Sequence, residues 1–258
     1  AMMLFLLPPS EGKTPASGGP TFAANKLVFP ELGARRMELM EALADFCKEK
    51  PELAAEALGL GPSQANLLTL NQELLSAHCA PAIQIYTGVL YDHLGYSTLA
   101  AKARSRADSS ILIASALFGF VAPTDLIPAY RFSGSSTIPI IGSLAHYWRP
   151  ELLEVLDREK ESLVLDMRSG SYEKLAPAKQ LDRAVVNVKV LTEVNGKLKP
   201  VTHFNKATKG DLVRAACRSA LRFPTKIEQV GSYFTKLGFQ ADLNTDGTGI
   251  PTLHIVTE

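Results

Sequence analysis

Cysteine is scarce in this sequence: Cys47, Cys79 and Cys217 are the only three among 258 residues. Their odd number, wide separation and lack of any CxxC spacing argue against a disulfide framework or a zinc site. They fit the reduced thiols of a cytoplasmic protein. An excess of charge is lacking too. Lys and Arg total 27 against 26 Asp and Glu, so no global field draws the chain to nucleic acid and any anion site has to be a local patch. No apolar run reaches the roughly 18 residues of a membrane span, which predicts no membrane association. The opening Met2-Met3-Leu4-Phe5-Leu6-Leu7 is too short for a signal peptide and has no basic flank. His78, His93, His146, His203 and His254 share no metal-ligand spacing, so neither a metal nor a cofactor is expected.

What is present is an ordinary globular balance, 46% hydrophobic and 21% charged, in a chain long enough to bury a sizeable core. Leu4 to Leu7 reads as a buried strand stopped by Pro8-Pro9. Apolar positions from about Glu31 to Lys50 recur at helical spacing and end at Pro51. Shorter helices are expected over Glu52 to Leu58 and Ser63 to His78. Ala82 to Tyr86, Ile111 to Ala114 and Leu163 to Asp166 have strand character, and Ser143 to Asp157 reads as helix. Asn195-Gly196 between two alternating runs predicts a hairpin, followed by a helix from Lys206 to Arg222. Strands and helices mixed without a strict βαβ rhythm indicate an α/β or α+β fold, a mixed sheet flanked by helices.

Three constellations can carry chemistry. Between the second and third helices, Gly59-Leu60-Gly61-Pro62 lies within a stretch of about 52–78 that resembles a helix-hairpin-helix element. There, Gly59 and Gly61 would let the backbone approach a DNA phosphate. The alternative is a plain helical hairpin, with Gly59 ending one helix and Pro62 starting the next. After the first strand, Pro8-Pro9-Ser10-Glu11-Gly12-Lys13-Thr14 is placed to hold a phosphate or carboxylate through Lys13, though it lacks the first glycine of a P-loop. In the late helix, Lys206, Arg214 and Arg218 follow a four-residue spacing with Lys209 beside them, giving a basic stripe on one face. Asp125, Tyr130 and Arg131 bring polar groups into a proline-rich loop, with Asp125 or Tyr130 the candidate general acid or base. Asp166, Arg168, Ser169, Ser171 and Tyr172 follow a strand end, where α/β sites commonly sit, but turn and cap chemistry explains them equally.

An ordered series of blocks resembles a known family. These are Tyr86-Thr87-Gly88-Val89-Leu90-Tyr91, Leu117-Phe118-Gly119, Pro123 to Arg131, Trp148, Asp166 to Tyr172 and Lys206 to Arg214. Together they are similar, over nearly the whole chain, to the peroxide-stress protein YaaA family. The resemblance implies one compact domain over 2–258, in the cytoplasm, protecting against hydrogen peroxide by limiting free iron and oxidative DNA damage. It also implies a helix-hairpin-helix element and a positively charged cleft suited to DNA or a small anionic ligand. Lys13, Lys206, Lys209 and Arg214 would contribute to that cleft, and Asp125, Tyr130 and Arg131 would line or brace it. An enzyme acting on a phosphorylated or nucleobase-containing substrate in the same cleft is the alternative.

Overall fold

The computed structural model describes residues 3–158, 162–201, 204–245, 247 and 249–258. The strands are β1 (Leu4–Leu7), β2 (Ala80–Pro81), β3 (Ile111–Ser115), β4 (Gly119–Val121), β5 (Leu126–Ile127), β6 (Val164–Asp166), β7 (Val185–Val194), β8 (Lys197–Pro200), β9 (Gln240–Asn244) and β10 (Thr252–Thr257). The helices are α1 (Gly33–Glu49), α2 (Pro51–Ala57), α3 (Ala65–Gln72), α4 (Ala82–Ile85), α5 (Val89–Leu94), α6 (Ala101–Ser110), α7 (Leu144–Asp157), α8 (Gly170–Glu173), α9 (Phe204–Arg218) and α10 (Val230–Lys236). One mixed sheet runs β4-β3-β1-β6-β7-β10-β9, with β8 paired to β7, while β2 and β5 form a separate small ladder.

Sequence decides which strands lie inside. β1, β3 and β6 are short, largely apolar runs buried almost throughout. Such runs suit parallel strands covered on both faces. Each fully buried Leu, Ile or Phe there contributes about 1.5–3 kcal/mol. Toward the other edge, β10 alternates, turning Leu253 and Ile255 inward, and β9 is largely polar and half-exposed. Asn195 (φ 53°) and Gly196 (φ 75°) both take the left-handed conformation that a two-residue hairpin requires.

The strands β3, β1, β6, β7 and β10 run parallel. The chain leaves β1 for β3 on one side and leaves β6 for β7 on the other. Diverging connections open a crevice beyond the carboxyl ends of β1 and β6, the usual position for a ligand in such sheets. Away from the crevice, buried polar anchors hold the packing. Arg36 of α1, fully buried, donates to the carbonyls of Val28 (2.7 Å), Phe118 (2.9 Å) and Phe120 (3.0 Å). Trp148 of α7 donates to Ala116 O at 2.8 Å.

Some elements differ from the sequence expectation. Ala82 to Ile85 forms a helical turn instead of a strand. Ile83 and Ile85 offer a short alternation, but the buried pair is Ala82 and Ile85, the i, i+3 spacing of a helical face. The helix expected over Ser63 to His78 is a 3-10 turn, Pro62–Gln64, followed by α3, which stops at Gln72. The late helix ends at Arg218 and not at Arg222, so Ala220 lies outside it and is exposed. Among the described residues, no helix is long and apolar enough to cross a membrane.

Candidate functional site: a cationic cavity beyond β1 and β6

A cavity of about 570 Å³ opens in this crevice, a size typical of small-ligand sites. Its walls come from the segment after β1 (Pro8 to Lys13), the start of α5 (Thr87 to Tyr91), the loop Arg131 to Ser133, the segment after β6 (Ser169, Tyr172) and the start of α9 (Asn205, Lys206, Lys209). Among the described residues, Lys13, Arg131, Lys206 and Lys209 bring four cationic side chains to it, and Glu11 is the one acid in the lining. A near-neutral chain has gathered its positive charge locally.

Lys13 is fixed by the strand-like pairing of its backbone with Tyr86 and by Thr14 N–H donating to Ile85 O at 2.8 Å. Ser10 Oγ accepts from Thr87 N–H at 2.9 Å, which pins the loop to the start of α5. The Lys13 ammonium donates to the carbonyls of Ser10 (2.8 Å) and Glu11 (3.2 Å) and stands 4.3 Å from the Tyr130 ring centre. Burial, and then the neighbouring Arg131 charge, lower its pKa to about 7, against the opposing pull of Glu11. Below it lies an aromatic floor. Tyr130 and Tyr86 hydroxyls meet at 2.7 Å, Ser115 Oγ is 2.8 Å from Tyr130 Oη, and Tyr91 donates to Pro8 O at 2.6 Å.

Arg131 is placed by α3. Asn71, fully buried, donates to Arg131 O (2.7 Å) and accepts from Arg131 N–H (2.9 Å), clamping both backbone groups of that residue. The guanidinium then pairs with Glu11 across the cavity mouth. Lys209 is buried and donates to Met167 O at 3.1 Å; burial lowers its pKa, with Asp166 pulling the other way. Lys206 is exposed at the rim. Among the described residues, neither Lys206 nor Lys209 forms an ion pair with a carboxylate.

Of the other residues singled out from sequence, Ser169 and Tyr172 alone line the cavity. Asp125 Oδ2 accepts from the backbone N–H of Ala122 (2.8 Å) and Val28 (3.0 Å), bracing the loop away from the opening. Burial raises its pKa, while those two amides and Arg36 lower it. Tyr130 lies behind Lys13, and burial holds its phenol well above its ordinary value. The basic stripe divides: Lys206 and Lys209 face the cavity, Arg214 donates to Leu94 O (3.0 Å) and Gly95 O (2.9 Å) to cap α5, and Arg218 is exposed at the helix end. In the helical hairpin, Gly59 (φ 66°) donates to Glu56 O and Leu60 to Ala55 O, the bond pair of a glycine-terminated helix. Gly61 N–H donates to Gln64 Oε1 at 3.1 Å. The amides of Gly59, Leu60 and Gly61 are thus engaged within the turn. Asp166 and Arg168 form a buried two-pronged ion pair at 2.9 Å on each prong, and only Ser169 and Tyr172 of that segment reach the cavity. Ser171 packs against Gly134. Of the histidines, His93 bonds Asp211 and His78 bonds Gly19 O; His203 lies outside the described residues.

Asn71 and Asn205 were missed from sequence, and Tyr91 entered only as part of a family block with no role given to it. A polar residue inside an apolar-spaced helix was the available signal for Asn71; Asn205 carried none.

Fold and site together define an α/β protein with a cation-lined cavity at a sheet switch point. Over residues 3–243 the chain matches the family described as peroxide stress protein YaaA. It is 38% identical over 251 residues to a UPF0246 protein of Streptomyces coelicolor, covering 96% of this chain and 95% of that one. A UPF0246 protein of Corynebacterium efficiens is 34% identical over 94% of this chain and 96% of its own length. An uncharacterized protein of Campylobacter jejuni is 28% identical over 85% and 87%. The chain belongs to the peroxide stress protein YaaA family.

Proposed function

We propose that this protein binds DNA in the peroxide stress response, seats a backbone phosphate in the cavity beyond β1 and β6, and thereby limits iron-dependent oxidative damage to the strand. The observation that carries this reading is the convergence of Lys13, Arg131, Lys206 and Lys209, from separate segments, on one opening with a single acid. Cations so placed neutralise phosphate oxygens and fix a strand without reading its sequence. Arg131 offers the planar fork suited to two phosphate oxygens, and the lysines act as point charges. The amides at the start of α9 add their partial positive charge beside Asn205 and Lys206. Exposed Arg218 adds charge farther along α9.

The test is duplex binding by fluorescence anisotropy across a salt series. Affinity should fall linearly in log–log form, and Lys206→Ala should reduce the slope by about 0.9. Absence of binding even at low salt refutes the reading. A second reading, an enzyme for a phosphorylated or nucleobase-containing substrate, is favoured by one observation: the site is a cavity with Tyr91, Phe132 and Tyr172 in its lining.

A further inference from the structure

The protonation and surroundings of Lys13 go beyond what phosphate binding needs. A lysine serving only as a phosphate contact is best left solvated, as Lys206 is at the rim. Lys13 is instead set against the Tyr130 ring, within the field of Arg131, and Glu11, the nearest acid, pairs with Arg131. Its two hydrogen bonds run to carbonyl oxygens of Ser10 and Glu11. A neutral amine has two N–H donors and one lone pair, so these carbonyls can take both donors and leave the lone pair free.

We propose that Lys13 is a nucleophile whose ε-amine adds to the carbonyl carbon of a phosphate-bearing aldehyde held in the cavity, forming an imine. The proposal rests on the reading that this cavity holds phosphate. Arg131, Lys206 and Lys209 fix the phosphate, and the aldehyde carbon is presented to Nζ. In the reaction the Nζ–C bond forms, the carbonyl C–O bond breaks, and the oxygen leaves as water carrying both protons shed by the amine. No oxidant or reductant is consumed. The depressed basicity of Lys13, about 7, keeps a large share of the amine neutral near physiological pH, as a Schiff-base lysine requires. The cation–π contact with Tyr130 favours the ammonium and opposes this, while burial and the Arg131 charge favour the neutral amine. The buried rings of Tyr130 and Tyr86, edge to face at 88°, pack behind the amine and keep water from it on that side.

Two sources share this ligand chemistry: a free sugar phosphate, and the aldehyde at a base-free position in a DNA strand, flanked by phosphates. The full chain is incubated with glyceraldehyde 3-phosphate, with unphosphorylated glyceraldehyde, or with a duplex carrying one abasic position, each in sodium cyanoborohydride. Adducts are then mapped by peptide mass spectrometry. The expected result is a reduced adduct at Lys13 exceeding that at any other lysine by about tenfold and forming faster from about pH 6 to about pH 8. It should be suppressed by inorganic phosphate and lost in Lys13→Arg. Labelling with the sugar phosphate alone supports the inference and assigns a small ligand; labelling with the abasic duplex supports it and assigns DNA. No adduct at Lys13 with either probe, or labelling spread evenly over the lysines, overturns it. Should Lys13→Arg fail to fold, the wild-type peptide map decides alone. Anisotropy with an intact duplex is read in parallel: binding without an adduct sinks only this inference, and an adduct without duplex binding sinks only the DNA reading.

Discussion

Replacing Asn71 with alanine tests how the helical hairpin serves the cavity. Asn71 is fully buried, and its amide makes two hydrogen bonds, 2.7 and 2.9 Å, to the carbonyl and N–H of Arg131. Each bond contributes about 1 kcal/mol net, and each buried backbone group left unpaired adds about 1–3 kcal/mol of desolvation cost. Because the gap left by the side chain can admit water, the expected loss is about 3 kcal/mol rather than the full sum. At about 2–4 °C per kcal/mol for a chain of this size, the thermal midpoint should fall by roughly 10 °C. Urea unfolding gives the free energy, and isothermal titration with inorganic phosphate reads the cavity. Affinity should drop as well, because Arg131 loses the clamp that sets its position. A variant within about 0.5 kcal/mol of wild type, with unchanged phosphate affinity, would refute the reasoning.

Further expectations follow from the same geometry. Between about 7 and 10.5, the unfolded chain holds a proton on Lys13 that the native protein does not. Native stability should therefore rise with pH across that window, and Lys13→Met should lack the rise in urea titrations at successive pH values. A parallel dependence in both proteins would show that Lys13 is not the group responsible. Burial pushes the Cys79 and Cys217 thiols up to about 11, so iodoacetamide should label the folded protein far more slowly than the unfolded one, read by intact mass. Equal rates would contradict the burial. Gly210→Ala places a Cβ 2.3 Å from Leu90 O and 2.8 Å from His93 Cβ, so α9 must shift off α5 at a cost of about 1–3 kcal/mol. A gain of about 1 kcal/mol, as helix propensity alone would give, would show that the contact relaxes freely.

The interior strands were legible in the sequence because unbroken apolar runs such as Leu4 to Leu7 have few other places to go. The Asn195-Gly196 hairpin was legible because its turn needs left-handed residues. Ala82 to Ile85 was not, since so short an apolar stretch satisfies helical and extended periods alike. At the site, the sequence placed Lys13 after a strand, Arg131 in a packed loop and Lys206 on a helix, but chain order says nothing of their meeting. That meeting depends on the pairing β3-β1-β6-β7, which brings the ends of β1 and β6 together. The basic stripe misled in part because helical spacing assigns a face without saying what packs on it. α5 packs there, drawing Arg214 to its last carbonyls and leaving room at Gly210 for backbone alone.

The central claim is that the protein engages DNA phosphate in the cavity beyond β1 and β6. A crystal structure with a short duplex tests it most directly. The account predicts a backbone phosphate inside that cavity, within hydrogen-bond reach of Arg131 and of at least one of Lys13, Lys206 and Lys209. A duplex seated elsewhere, with the cavity free of phosphate, would contradict it.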